Sequence, residues 1–371
     1  MENRKRRHDI DWLRVIVFGL LIIYHVGMFF VPWGWHIKND TTYEWMRWPM
    51  LFVNQWRLSI LFVISGMGTC FALSKRFGSE YRRERWKRLG LPLIVGMILI
   101  VPPQVYIERL DTNAFSGSYI DWYFWDAFKG IYPSGNFSWH HLWFLPYLLI
   151  YSLLLSPVFI YLRNHPNNAL IRFLKHRITT PFGIYIFIIP LYITEACIEP
   201  FFPVTHALIG DWFTLTNYFV LFFMGYVLIK MGSIVWEVIE KIKFRAFLYG
   251  IISFALLVLI WHQEDGVFIH FTEAFVKVFN FWTWIIVIFG YGHQWLNRPS
   301  SILSYCNTAV YPFYILHQTI TIILGYYINK TTMTLAPRFL IMVVGTFFLS
   351  WILYEFIIKR IRILRPLFGL K

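Results

Sequence analysis

The chain has 371 residues, of which 57% are hydrophobic and only 15% charged, more apolar than a soluble domain of this length requires. Its net charge of +14 would suggest nucleic acid in a soluble protein, but here the cations fall between apolar blocks, which makes them topology signals and leaves no nucleic-acid partner expected. Cys70, Cys197 and Cys306 show no paired spacing, so neither a disulfide framework nor a metal site is expected.

Ten apolar blocks are expected to cross the membrane, near 10–31, 49–74, 92–110, 139–162, 180–197, 211–230, 246–262, 270–291, 308–328 and 338–358. Each approaches the roughly 20 residues that span ~30 Å of hydrocarbon as a helix. The prediction is an all-α polytopic bundle forming one transmembrane domain over residues 1–371. Of the 34 Lys and Arg, Arg14, Arg57 and Lys277 lie within spans, and Lys38, Arg47, Arg109, Lys129, Lys330 and Arg338 lie on one side. The rest lie in the two tails and the turns at 75–88, 163–177, 230–245 and 298. The positive-inside rule therefore puts both termini in the cytoplasm. The N-terminal MENRKRRHDI precedes an apolar run too long for a signal peptide and without a small-residue cleavage site, so an uncleaved first span is expected.

The first span, DWLRVIVFGLLIIYHVGMFF, carries Arg14 and His25. Eleven residues at ~100° each return to within about 20° of the start, so both side chains share one helix face, about 16.5 Å apart along the axis. Each alone has an ordinary reading: an arginine near a helix end snorkels to the headgroups, and a membrane histidine bonds a neighbouring helix. Together they suggest a polar path from the cytoplasmic third to the outer half, since ionisable groups in a membrane point to function. The second span, MLFVNQWRLSILFVISGMGTCFAL, brings Asn54, Gln55 and Arg57 to the expected depth of His25, and Ser65 and Gly66 to that of Arg14. Gly66 and Gly68 permit close helix approach or a narrow passage.

The next turn, KRFGSEYRRERWKRLGLP, holds seven cations. They serve either topology alone or a phosphate clamp, with Arg85 and Arg88 on one helical face. Pro102–Pro103 bends or ends the third span. The outer loop 111–138, with DWYFWDAFKGIYPSGNFSW, either stacks on a sugar or lies as an interfacial helix. His141 opens the fourth span, as an acceptor-site residue or an interfacial one. His317, in the ninth span, is either a second pocket histidine or a core hydrogen-bonding residue. Glu108, Glu195 and Glu199 lie near outer helix ends, where one of them can orient His25. Glu355 and Lys359 read as an i,i+4 surface pair.

Arg14-x10-His25, LFVISGMG at 61–68, Arg85-x-x-Arg88 leading to Leu91-Pro92, HLWFLPYLLIYSLLLSP at 141–157 and YPFYILHQT at 311–319 resemble, in that order, the membrane acyltransferase-3 family of sugar O-acyltransferases. The resemblance runs through nearly the whole chain and is to the stand-alone kind, without an appended esterase-like domain. It implies about ten helices, a cytoplasmic acyl-CoA donor with no permanently bound cofactor, and a carbohydrate or glycolipid acceptor outside a bacterial inner membrane. The family's Arg and His carry over onto Arg14 and His25, and its arginine pair onto Arg85 and Arg88.

Residue chemistry suits that activity. Moving an acetyl or succinyl group from a thioester to a hydroxyl requires a base, for which neutral His25 is suited. It also requires a donor for the developing oxyanion, expected from Arg57 or Asn54. Arg14, Arg85, Arg88 and Ser65 would receive the coenzyme A end, and His141 and His317 the acceptor. The alternative class is a transporter or flippase for a polar lipid or glycan, with Arg14 and His25 on its path.

Overall fold

The computed structural model describes residues 6–74, 76–264 and 266–370; Lys75, one of the seven cations in the turn after the second span, lies outside them. Among the described residues the chain is built of helices, with no strand beyond a single bridge between Ile131 and Phe137. In chain order, and numbered here as introduced, the principal helices are α1 (His8–Phe30), α2 (Glu44–Leu73), α3 (Gly78–Asp111), α4 (Tyr119–Trp125), α5 (His140–Leu154), α6 (Ser156–Asn164), α7 (Ala169–Ile178) and α8 (Gly183–Phe201). They continue as α9 (Trp212–Met231), α10 (Ser233–Ile260), α11 (Val267–Leu296), α12 (Ser301–Ile328) and α13 (Leu335–Ile358).

Eight of these, among the described residues, are long and apolar enough to cross a membrane: α1, α2, α3, α8, α9, α10, α11 and α13. The pair α5 and α6, bent by 48° at a short break, makes a ninth if taken as one span. The remaining expected span falls on α12, whose 28 residues give about 42 Å of helix, long enough to cross. It is less apolar than the others, because it carries His317, Gln318, Thr319 and Thr321.

The chain divides into two compact units. The first comprises Met1–Arg14, Phe52–Arg83 and Ile150–Leu303. One close helix approach in it is glycine-made: a Cβ on Gly66 would stand 1.9 Å from the Phe222 carbonyl oxygen, and one on Gly225 would stand 2.0 Å from that of Val63. Backbones of α2 and α9 touch there, which the missing side chains permit. Gly68 has nothing within 4 Å of its would-be Cβ, so of the two glycines only Gly66 makes the close approach. Next to this crossing, Phe62 stacks on Tyr218 at 4.2 Å and Phe159 on Tyr226 at 3.9 Å. Lys277 on α11 is paired with buried Glu195 on α8. That pairing brings two opposite charges together on neighbouring apolar helices.

The second unit comprises Val15–Leu51, Glu84–Leu149 and Ser304–Lys371. Its α12 has Tyr314, His317, Gln318 and Thr321 buried, at the i, i+3, i+4, i+7 spacing of one helix face. This face is polar and turned inward, the reverse of a surface helix. The loop after α1 is tied down by Arg338, which donates to Asn39 Oδ1 at 2.6 Å and to the Thr331 carbonyl at 2.5 Å. Asn329 donates to the Lys38 carbonyl at 2.7 Å. Pro102–Pro103 leaves its mark on α3. The helix widens to a π turn over Gly96–Ile100, and the Gln104 N–H bonds the Val101 carbonyl in place of that of Ile100. The Ile100 carbonyl accepts instead from Thr319 Oγ1 at 2.6 Å. Helix α4 lies in the expected outer loop with Ile120, Phe124 and Trp125 exposed and Trp122 buried, the distribution of an interfacial helix.

Candidate active site

The second unit brings three histidines from three helices together. His25 Nδ1 on α1 lies 2.7 Å from His317 Nε2 on α12, with the rings nearly parallel. His141, opening α5, stands edge-on to His317 with ring centroids 5.1 Å apart. His317 and His141 are buried.

Backbone carbonyls only accept, and this sets the tautomers. His317 Nδ1 lies 2.7 Å from the Tyr314 carbonyl and therefore carries its proton. His317 Nε2 then holds a lone pair and accepts from His25 Nδ1–H. This leaves His25 Nε2 as the basic nitrogen of that ring. His141 Nε2 donates to the Ile315 carbonyl at 3.0 Å, and the Tyr314 hydroxyl donates to the His141 carbonyl at 2.6 Å. Tyr314 thus bonds both residues, the His317 imidazole through its carbonyl and the His141 backbone through its hydroxyl.

Two glutamines extend the network. Gln104, fully buried on α3, donates to Thr319 Oγ1 at 2.7 Å and faces His141 Nδ1 at 3.4 Å. Gln318 donates to Gln104 Oε1 at 3.2 Å and reaches His36 Nε2 at 3.1 Å. His36 Nδ1 lies 2.7 Å from Glu108 Oε2, to which the Tyr132 hydroxyl also donates at 3.4 Å. Burial, helped by the Glu108 charge, pushes the Tyr132 phenol up to about 12, so it stays a donor through the neutral range.

A model of the family described as an acyltransferase domain matches residues 7–355. The chain belongs to that family. The glucans biosynthesis protein C of Salmonella heidelberg (strain SL476) is 23% identical to it over 385 residues, covering 98% of this chain and 94% of the relative. Its namesake in Salmonella paratyphi A is 22% identical over 380 residues with the same coverage. No solved structure matched. With its long apolar helices, this is an integral membrane acyltransferase.

In this acyltransferase the other expected site residues fall in several places. Arg14 and His25 sit on one uninterrupted helix, but Arg14 belongs to the first unit, where it donates to Asp11 Oδ1 at 2.5 Å. Arg57 and Asn54 also belong to the first unit and bond one another within α2. Ser65 Oγ is turned back on its own helix, donating to the Leu61 carbonyl at 2.7 Å. Arg85 and Arg88 lie in the second unit and flank Glu84, at 3.7 and 3.8 Å. Tyr311 on α12 donates to the Arg88 carbonyl at 2.8 Å, tying that arginine turn to the helix that carries His317.

Of the glutamates expected to orient His25, Glu108 pairs with His36 and Glu195 with Lys277; the group facing His25 Nδ1 is His317. Gln104, Gln318, Thr319 and His36 were not among the expected site residues. Only Gln318 had a signal in the sequence, the polar stripe at 314, 317, 318 and 321 of the ninth span; Gln104, Thr319 and His36 lie off that stripe.

Proposed function

We propose that the protein transfers an acyl group, acetyl or succinyl, from cytoplasmic acyl-CoA to a hydroxyl of an extracytoplasmic carbohydrate or glycolipid, in a bacterial inner membrane. The observation that carries this reading is the His25–His317 hydrogen bond with its tautomer set by the Tyr314 carbonyl. It leaves His25 Nε2 as an oriented base, the role that an O-acyl transfer requires. The names of the Salmonella relatives support a glycan acceptor.

In the proposed step His25 Nε2 takes the proton of the acceptor hydroxyl while the hydroxyl oxygen attacks the thioester carbonyl carbon. The tetrahedral adduct expels the coenzyme A thiolate, which takes the proton back from His25. No bond forms between acyl group and enzyme. His317 acts as a positioning residue, and His141 flanks the place of the acceptor. Arg85 and Arg88 supply forks suited to the phosphates of coenzyme A. Arg57 and Asn54, expected as oxyanion donors, stand in the other unit and are assigned no step.

The test is transfer of label from acetyl- or succinyl-CoA to cell-envelope glycans by purified protein in lipid, with wild type beside His25→Ala. Label reaching glycan with wild type alone is the expected result. Folded wild type that transfers nothing from either donor would overturn the reading and return the transporter alternative to the front.

A further inference from the structure

Outside the three-histidine centre, the second unit holds a second group of titratable side chains: His36 in the loop after α1, Glu108 on α3 and His140 at the start of α5. One ligand-type atom from each lies within 4.8 Å of the other two. The His36 and His140 ring centroids are 4.4 Å apart, and His36 is bonded to Glu108 at 2.7 Å. The His36–Glu108 pair is explained by its own hydrogen bond. His140 is not explained in that way. Its Nε2 is buried and has no hydrogen-bond partner among the described residues, a state that is costly for a polar atom. Its backbone is also left-handed, with φ of 39°, a conformation uncommon for a non-glycine residue. Two penalties therefore coincide on one imidazole that stands against a histidine–carboxylate pair.

The geometry points to a divalent transition-metal site of the Zn²⁺ class, held by His36, Glu108 and His140. Two imidazoles and one carboxylate are a donor set that suits such an ion and leaves a fourth position for water or a hydroxyl. Metal–ligand bonds of about 2.0–2.2 Å put tetrahedral ligand atoms roughly 3.3 Å apart, so the ion would close the wider separations by about 1.5 Å at most and open the 2.7 Å His36–Glu108 contact by about half an ångström. The outer contacts fit. His140 Nδ1 lies 3.2 Å from Ser138 Oγ, and the tautomer in which Nδ1–H donates to that hydroxyl leaves Nε2 to the ion. The other nitrogen of His36 meets the Gln318 amide at 3.1 Å, and either end of that amide can face it. The nearest cation, Arg109, is 3.8 Å from Glu108 but donates to the Pro133 and Gly135 carbonyls at 2.9 and 2.8 Å. The site ties three separate segments together and lies one amide, Gln318, from Gln104 and His141. It does not depend on the acyl-transfer reading, because its test is binding.

The experiment is titration of chelator-stripped, tag-free protein in detergent with Zn²⁺ and with Co²⁺. Metal per chain, Co²⁺ visible bands and melting temperature are followed for wild type, His36→Ala, Glu108→Gln and His140→Gly. Wild type is expected to take up one ion and to melt several degrees higher with it. Each variant is expected to lose at least tenfold in affinity together with that rise. His140→Gly keeps folding in the comparison, since glycine accepts the left-handed backbone, and its metal-free melting temperature should equal or exceed that of wild type. A wild type that binds no ion, or a His140→Gly protein that binds it as wild type does, overturns the assignment.

Discussion

Two imidazoles 2.7 Å apart share one proton between them, so the fate of that proton decides which ring is the base. At His25 the answer comes from the Tyr314 carbonyl, two hydrogen bonds removed: it accepts from His317 Nδ1–H, and His317 Nε2 in turn accepts from His25 Nδ1–H. The arrangement has the logic of an orienting acceptor behind a catalytic histidine, with an imidazole where a carboxylate more often stands. His317→Leu removes the acceptor and should lower kcat by about 10²-fold with KM for acyl-CoA little changed. His317→Gln, whose amide oxygen can accept the His25 N–H, should restore part of that loss. An unchanged rate in His317→Leu would remove His317 from the mechanism, and failure of the glutamine to rescue would make its part purely steric. His25 was legible from its place eleven residues beyond Arg14 on an apolar helix. Its partner was not, because only packing chose His317 over three glutamates at the outer helix ends.

At the scale of helices, the first unit depends on two features that a membrane makes demanding. One is the glycine-mediated crossing of α2 and α9. Gly66→Leu should unfold the protein or lower its melting temperature sharply, because the first added carbon meets a backbone oxygen at 1.9 Å, a contact that cannot relax cheaply. Gly68→Leu, with open space at its Cβ, is the control and should stay near wild type. Equal melting temperatures for the two in the same detergent would contradict this account of the crossing. The other feature is the Lys277–Glu195 pair. Glu195→Gln removes the carboxylate that pairs with Lys277 and should lower the melting temperature, whereas replacing both by methionine should recover most of that. Thermal melts of the single and double variants decide it; a double variant no better than the single would show the pair to be dispensable as a charge pair. The glycine was visible in LFVISGMG, but which of Gly66 and Gly68 makes the contact depended on how α2 is rotated against α9.

For the whole molecule, the uneven distribution of Lys and Arg predicts a sidedness. With a cytoplasmic N-terminus, the end of the expected fifth span lies outside, and Cys197 is there and exposed, while Cys70 is buried. A membrane-impermeant maleimide should therefore label Cys197 in intact cells, and Cys197→Ser should abolish that labelling. Labelling only after lysis would reverse the topology and the sidedness of the proposed transfer. The sequence by itself determined that this is an all-helical membrane protein, roughly where its helices run and which family it joins, because apolar length, charge placement and ordered motifs are local quantities. Tertiary structure alone decided that His25 meets His317, that Glu108 and His140 gather about His36, and that Arg57 and Asn54 belong to the other unit. Those outcomes depend on the rotation and depth of one helix against another, which packing selects and spacing within a single helix does not encode.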